Sequence, residues 1–151
     1  MNRIVPVFYL VLISLFGCDN NISTKSSTND MVVDSIAIIT TMINNDSLNE
    51  DLFAKRAEIF LQRGNINQAL RDIQTALDIN SEKAELFILL SDVYLVLGQT
   101  DNSILSLKKA IKLDPNNYIP LLKLSEVYLL LEDPETAIRY ANKAISLDRY
   151  N

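Results

Sequence analysis

The sequence predicts an all-α fold built from stacked helix–turn–helix repeats, and three observations carry that prediction. The first is an echo: Ala110-Ile111-Lys112-Leu113-Asp114 returns 34 residues later as Ala144-Ile145-Ser146-Leu147-Asp148, and stands 34 residues earlier as Ala76-Leu77-Asp78-Ile79-Asn80. Ser91-Asp92-Val93-Tyr94-Leu95 keeps the same step to Ser125-Glu126-Val127-Tyr128-Leu129. The second is helical periodicity, with Phe87, Leu90, Tyr94 and Leu97 at steps of three and four. The third is punctuation between the helical stretches by Gly64, Gly98, Pro115 and Pro134. A fixed period of this length signals stacked units whose function lies on the surface of the stack.

Three units fit without a gap: residues 50–83, 84–117 and 118–151. In the second, Gly98 ends the first helix, and Asp101 or Asn102 is expected to cap the next. Ile104, Leu107, Ala110 and Ile111 form the apolar face of that next helix. Asp114-Pro115 ends it, because the residue before proline disfavours helical geometry. In the third unit, Asp133-Pro134-Glu135 reads as a helix start: a capping carboxylate, proline at the first helical position and an acid in the first turn.

This spacing resembles the tetratricopeptide repeat, in which each 34-residue unit pairs two antiparallel helices. The resemblance covers residues 50–151. It rests on the fourth residue of each unit (Phe53, Phe87, Leu121), the eighth (Ala57, Ser91, Ser125), the eleventh (Phe60, Tyr94, Tyr128), the twentieth (Ala69, Ser103, Ala137) and the twenty-seventh (Ala76, Ala110, Ala144). Small residues let helix axes approach to roughly 8–10 Å while larger ones fill the gaps. Three places depart from the pattern. Arg56 stands where Leu90 and Leu124 stand in the other units, Pro115 has Ser81 and Arg149 as counterparts, and Glu132 replaces the glycine of Gly64 and Gly98. A left-handed Glu132 implies strain of about 1 kcal/mol.

Residues 31–49 add one helix that caps the N-terminal end, with Val32, Ile36, Ile39 and Ile43 on one face. At the other end, Ile138, Ala141 and Ile145 lack a following helix within the sequence. A partner or a second copy covering that face, a longer parent chain, and a tolerated apolar face are all open readings.

The N-terminus reads as an address. Arg3 precedes an apolar run over residues 4–16, interrupted by Pro6 and Ser14. Such a run spans roughly 20 Å as a helix, short of the ~30 Å hydrocarbon core, so a signal sequence fits better than a membrane span. Its end, Leu15-Phe16-Gly17-Cys18, resembles the bacterial lipobox, although Phe16 is bulkier than that pattern favours. The resemblance implies a signal peptide over residues 1–17, lipidation of Cys18, and a lipid-anchored place in a bacterial cell envelope, with inner and outer membrane both open. Residues 18–30 hold Ile22 as their only aliphatic side chain after Cys18 and are expected to form a flexible tether.

Composition narrows the function. The chain of 151 residues carries a formal charge of −5, with no His and one Cys. Lys and Arg are scattered rather than clustered, which argues against nucleic acid. Without His, and with Cys18 assigned to lipid, no nucleophilic triad can be assembled. No phosphate-cradling Gly-rich loop and no compact acidic cation loop occur. The expectation is a non-enzymatic protein without metal or cofactor.

The repeat resemblance implies a concave groove lined by the first helix of each unit, at its second, fifth, ninth, twelfth and thirteenth residues. The ninth is acidic throughout, Glu58, Asp92 and Glu126; the twelfth is Leu61, Leu95 and Leu129. Ile88 and Leu122 at the fifth, with Val96 and Leu130 at the thirteenth, make the groove more apolar toward the C-terminus. The expected partner is a protein or peptide segment that is apolar and carries Lys or Arg. The expected function is a membrane-anchored interaction scaffold. A factor assisting assembly of outer-membrane or secretion machinery, and a piece of a longer repeat lipoprotein, are the alternatives. Self-association through the uncovered last helix is a further expected contact.

Overall fold

A computed structural model describes residues 27–148, with side chains from residue 35 onward. The signal sequence, Cys18 and most of the expected tether lie outside the described residues. Seven helices follow one another: α1 (Ser27–Asn45), α2 (Glu50–Gln62), α3 (Ile66–Ile79), α4 (Ala84–Val96), α5 (Thr100–Leu113), α6 (Ile119–Leu130) and α7 (Pro134–Asp148). No strand occurs among the described residues. α2 pairs with α3, α4 with α5 and α6 with α7, while α1 packs on α2. This is the repeat architecture that the 34-residue period predicts.

The pairs close at their small residues. Ala57, Ala69, Ala76 and Ala110 are fully buried, and Ser91, Ser103, Ala137 and Ala144 nearly so. Ile73, Val93, Leu107, Leu121, Leu124 and Val127 fill the space between axes. The buried serines keep their polar atoms satisfied: Ser91 Oγ donates to the Ile88 carbonyl at 2.6 Å and Ser106 Oγ to the Asn102 carbonyl at 2.9 Å.

Each first helix ends in the same left-handed turn. The amide of Asn65 donates to the Phe60 carbonyl at 2.8 Å, that of Gln99 to Tyr94 at 2.8 Å, and that of Asp133 to Tyr128 at 2.9 Å. The residue before each of these donates within that loop, to the carbonyl three residues back: Gly64 to Leu61, Gly98 to Leu95 and Glu132 to Leu129. This double closure satisfies orphan carbonyls at a helix end and requires positive φ. Gly64 at φ 74° and Gly98 at φ 70° adopt it freely, whereas Glu132 adopts φ 57° at a cost of roughly 1–2 kcal/mol.

The helix starts agree with expectation in one unit and differ in another. Asp133 Oδ1 accepts from the Thr136 amide at 3.0 Å, capping α7 ahead of Pro134. That bond lowers the Asp133 pKa, because the charged carboxylate is the better acceptor. Asp101 and Asn102, by contrast, are not caps. α5 begins at Thr100 with Gln99 at the cap position and no side-chain cap bond, because the left-handed turn delivers the chain directly into the helix. Asn102 Nδ2 instead donates to Gln99 Oε1 at 2.9 Å. α1 starts at Ser27, four residues before the apolar pattern and inside the segment expected to be tether, since periodicity cannot mark a polar first turn.

α1 covers the first repeat pair as a cap should. Ile39 and Ile43 are buried in one cluster with Leu52, Phe53, Ala76 and Leu86, while Ile36 is half-buried. The side chain of Val32 lies outside the described set.

Arg56, which breaks the repeat pattern, is explained by a partner sixteen residues on. Its Nε and Nη2 donate to the two carboxylate oxygens of Asp72 at 2.7 and 2.8 Å, and Nη1 donates to Thr40 Oγ1 on α1 at 3.0 Å. The guanidinium also lies over Phe53 and Phe60, 5.7 and 5.9 Å from their centroids. The Asp72 hydrogen bonds raise the Arg56 pKa further above its ordinary value.

Two expected outcomes follow from this packing. Ala110→Leu forces extra volume into a closed crossing and should lower stability by about 1–3 kcal/mol, read from the denaturant midpoint; an unchanged midpoint contradicts the assigned register. Asp72→Ala leaves the half-buried Arg56 unpaired and should cost about 2 kcal/mol. The double variant Arg56→Leu/Asp72→Ser copies the second unit and should recover most of that loss in the same measurement.

Candidate interaction groove

The candidate groove is the face of α2, α4 and α6 whose side chains do not enter the core. Helical geometry separates the faces: the fifth, ninth and twelfth residues of each unit fall within roughly 60° of one another around the axis. Along α2, Glu58 is exposed and Leu61 half-buried. Along α4, Ile88, Asp92 and Leu95 are half-buried and Val96 is 61% exposed. Along α6, Glu126 is exposed, and Leu122, Leu129 and Leu130 are 44%, 58% and 68% exposed. Apolar exposure therefore grows from the first unit to the third.

The acids are less uniform than their spacing suggests. Asp92 Oδ1 accepts from Lys123 Nζ at 2.7 Å, so a cation from the next unit neutralises the middle carboxylate. This ion pair joins α4 to α6. Among the described residues, Glu58 and Glu126 carry no such partner.

Two clefts open along this face. One, of about 280 Å³, is lined by Glu58, Glu85, Ile88, Leu89, Asp92, Asn117 and Ile119. The other, of about 370 Å³, lies between α1 and α2 and is lined by Ser35, Ile38, Ile39, Met42, Leu52, Lys55, Glu58 and Ile59. Glu58 borders both. Glu85 and Ile119 stand at the second residue of their units, so the repeat register already marked their places. Ile38 and Met42, 59% and 48% exposed, were missed because α1 was read only as a cap. Its outward apolar residues were the available signal.

At the far end, Ile138 and Ile145 of α7 are 60% and 55% exposed, while their counterparts Ile104 and Ile111 are buried and half-buried. Among the described residues, no group of three or more His, Cys, Asp or Glu is placed to hold a metal ion. No described helix is long and apolar enough to cross a membrane.

Residues 84–117 match a family model of the tetratricopeptide repeat, and residues 106–139 match a second model of that family. No match was found among curated proteins. Several solved structures share the fold. A crystal structure of MamA is 21% identical with a TM-score of 0.68, covering 80% of this chain and 70% of that one. A thermophilic TPR protein of Thermus thermophilus is 18% identical with a TM-score of 0.72, covering 80% and 68%. The Cut9–Hcn1 hetero-tetramer of the APC/C is 18% identical with a TM-score of 0.73, covering 80% of this chain and 23% of that one.

Proposed function

We propose, from the premise that the chain is a tetratricopeptide-repeat protein, that it is a protein–protein interaction scaffold, held at a bacterial membrane by lipid on Cys18. Scaffolding is the general role of this repeat, and Cut9–Hcn1, a neighbour in fold, is itself a hetero-tetramer. The observation that carries the groove reading is the exposed row Val96, Leu122, Leu129 and Leu130 beside the unpaired Glu58 and Glu126. Burying such a row gives the hydrophobic gain of association, while the carboxylates select and steer basic residues. An amphipathic helix or extended segment with Lys or Arg meets both demands.

The anchor follows from the sequence ending Leu15-Phe16-Gly17-Cys18. Two or three acyl chains supply the stable attachment that one chain cannot. Residues between Cys18 and α1 then set how far the groove stands from the bilayer.

Crosslinking in cells, followed by mass spectrometry, identifies the partner to be measured. Glu58→Lys/Glu126→Lys should weaken its capture by about tenfold with helicity unchanged, since two attractive contacts become repulsive. Full binding by the folded double variant rejects the groove. These acids are preferred to Asp92, whose reversal would collide with Lys123. Metabolic labelling with a fatty acid tests the anchor: label should enter the wild type and vanish in Cys18→Ala, together with membrane association. Membrane association that survives loss of label points to an uncleaved signal anchor.

A further inference from the structure

The three units fill one equivalent seam in three ways. In the first, Arg56 and Asp72 occupy it, with the guanidinium over Phe53 and Phe60. In the third, Tyr140 fills it and stacks on Tyr128, centroids 5.5 Å apart and planes 10° from parallel. In the second, Leu90 matches Leu124 of the third unit, but Ser106 stands where the others have Asp72 and Tyr140, so the small hydroxymethyl side chain leaves that side of the seam unfilled. What remains is an open cleft of about 250 Å³ between α4 and α5, lined by Phe87, Leu90, Tyr94, Leu105, Ser106 and Lys109, with Asn102 at its edge. It shares no lining residue with the groove clefts. Its α4 residues lie roughly 120° around the helix from the groove face.

We infer that this cleft is a second docking site, and that it takes an aromatic side chain flanked by a carboxylate from a protein partner. The aromatic preference comes from within the molecule. Tyr94 is the counterpart of Tyr128, and Ser106 leaves open the place from which Tyr140 stacks on that ring. An incoming ring therefore meets the same flat face that the third unit covers with its own residue, in the offset arrangement aromatic pairs prefer. The acidic preference comes from Lys109. Its ammonium lies 5.8 Å from the Phe87 centroid at the rim, forms no ion pair among the described residues, and faces no carboxylate in the cleft lining. Leu105, 63% exposed, adds an apolar wall. Ser106 Oγ is already bonded within its own helix, so the incoming group owes the cleft no hydrogen bond at its base.

The test uses the full chain and 3-phenylpropionate, a ring bearing one carboxylate, followed by NMR amide shifts. At about 20 mM probe, above the millimolar Kd a fragment of this size typically reaches, shifts should cluster at Tyr94, Leu105, Ser106 and Lys109. Ser106→Tyr places the chain's own ring in the cleft, as in the third unit, and should abolish them. Lys109→Glu, on an exposed side chain that does not hold the fold together, should weaken the acid about two- to fivefold or more and leave 3-phenylpropanamide unaffected. No shifts in the wild type, shifts elsewhere on the surface, or undiminished shifts in folded Ser106→Tyr would overturn the inference. Equal binding of acid and amide by wild type and Lys109→Glu would remove the carboxylate from it. Should Ser106→Tyr not fold, the Lys109→Glu comparison decides alone.

Discussion

Everything in this fold depends on how closely two helices can cross. Side chains of one carbon, at three places in each unit, set that distance. Because Ala57, Ala69 and Ala76, then Ser91, Ser103 and Ala110, then Ser125, Ala137 and Ala144 are almost wholly shielded from solvent, backbones approach where bulk would hold them apart. The larger apolar residues are then directed into the gaps rather than onto the surface. Once the pair is closed, the remaining residues of the first helix are left to its outward faces, such as the one that carries Ile88, Asp92 and Leu95. Burial and exposure are thus divided by position rather than by residue type, which is how leucine can be core at Leu124 and exposed at Leu130.

The division explains what was legible in the sequence. The pairing of helices within each unit, the Asp133 cap and the left-handed Glu132 follow from local chemistry repeated at a fixed step, and repetition turns weak signals into a register. Contacts between residues far apart in the sequence were harder to read. Nothing near Asp92 announces Lys123, which arrives from 31 residues away once α4 and α6 are stacked. Arg56 looked like a flaw until Asp72 was placed beside it. Asp101 and Asn102 have the right chemistry for the α5 cap but stand two and three residues past Gln99, inside the first turn of the helix. The apolar exposure of the groove was readable from residue type, but its extension onto Ile38 and Met42 of α1 depends on a helix outside the repeat.

Ion pairs in this molecule sit at unit boundaries as well as within them. Lys83, at the end of the first unit, bonds to Asp51 and to Glu50, and Asn80 donates to the same Glu50. The Asn80 bond is the chief reason the Glu50 pKa is lowered. Lys123 and Asp92 join the second unit to the third. The second and third units therefore share a polar tie at the surface, above apolar clusters that cross the unit boundaries, so that a change in one unit is felt by its neighbour.

Glu132 has a consequence for motion. Two of the three equivalent turns are made by glycine, and the third holds a residue with a side chain in the same left-handed geometry. That turn leads into α7, whose Ile138 and Ile145 gain less from burial than their counterparts in α5. Strain at the entry and weak burial along the helix act together. Of the described repeat helices, α7 is thus the one that joins a strained entry to exposed branched side chains, the combination that marks the low-stability part of a fold.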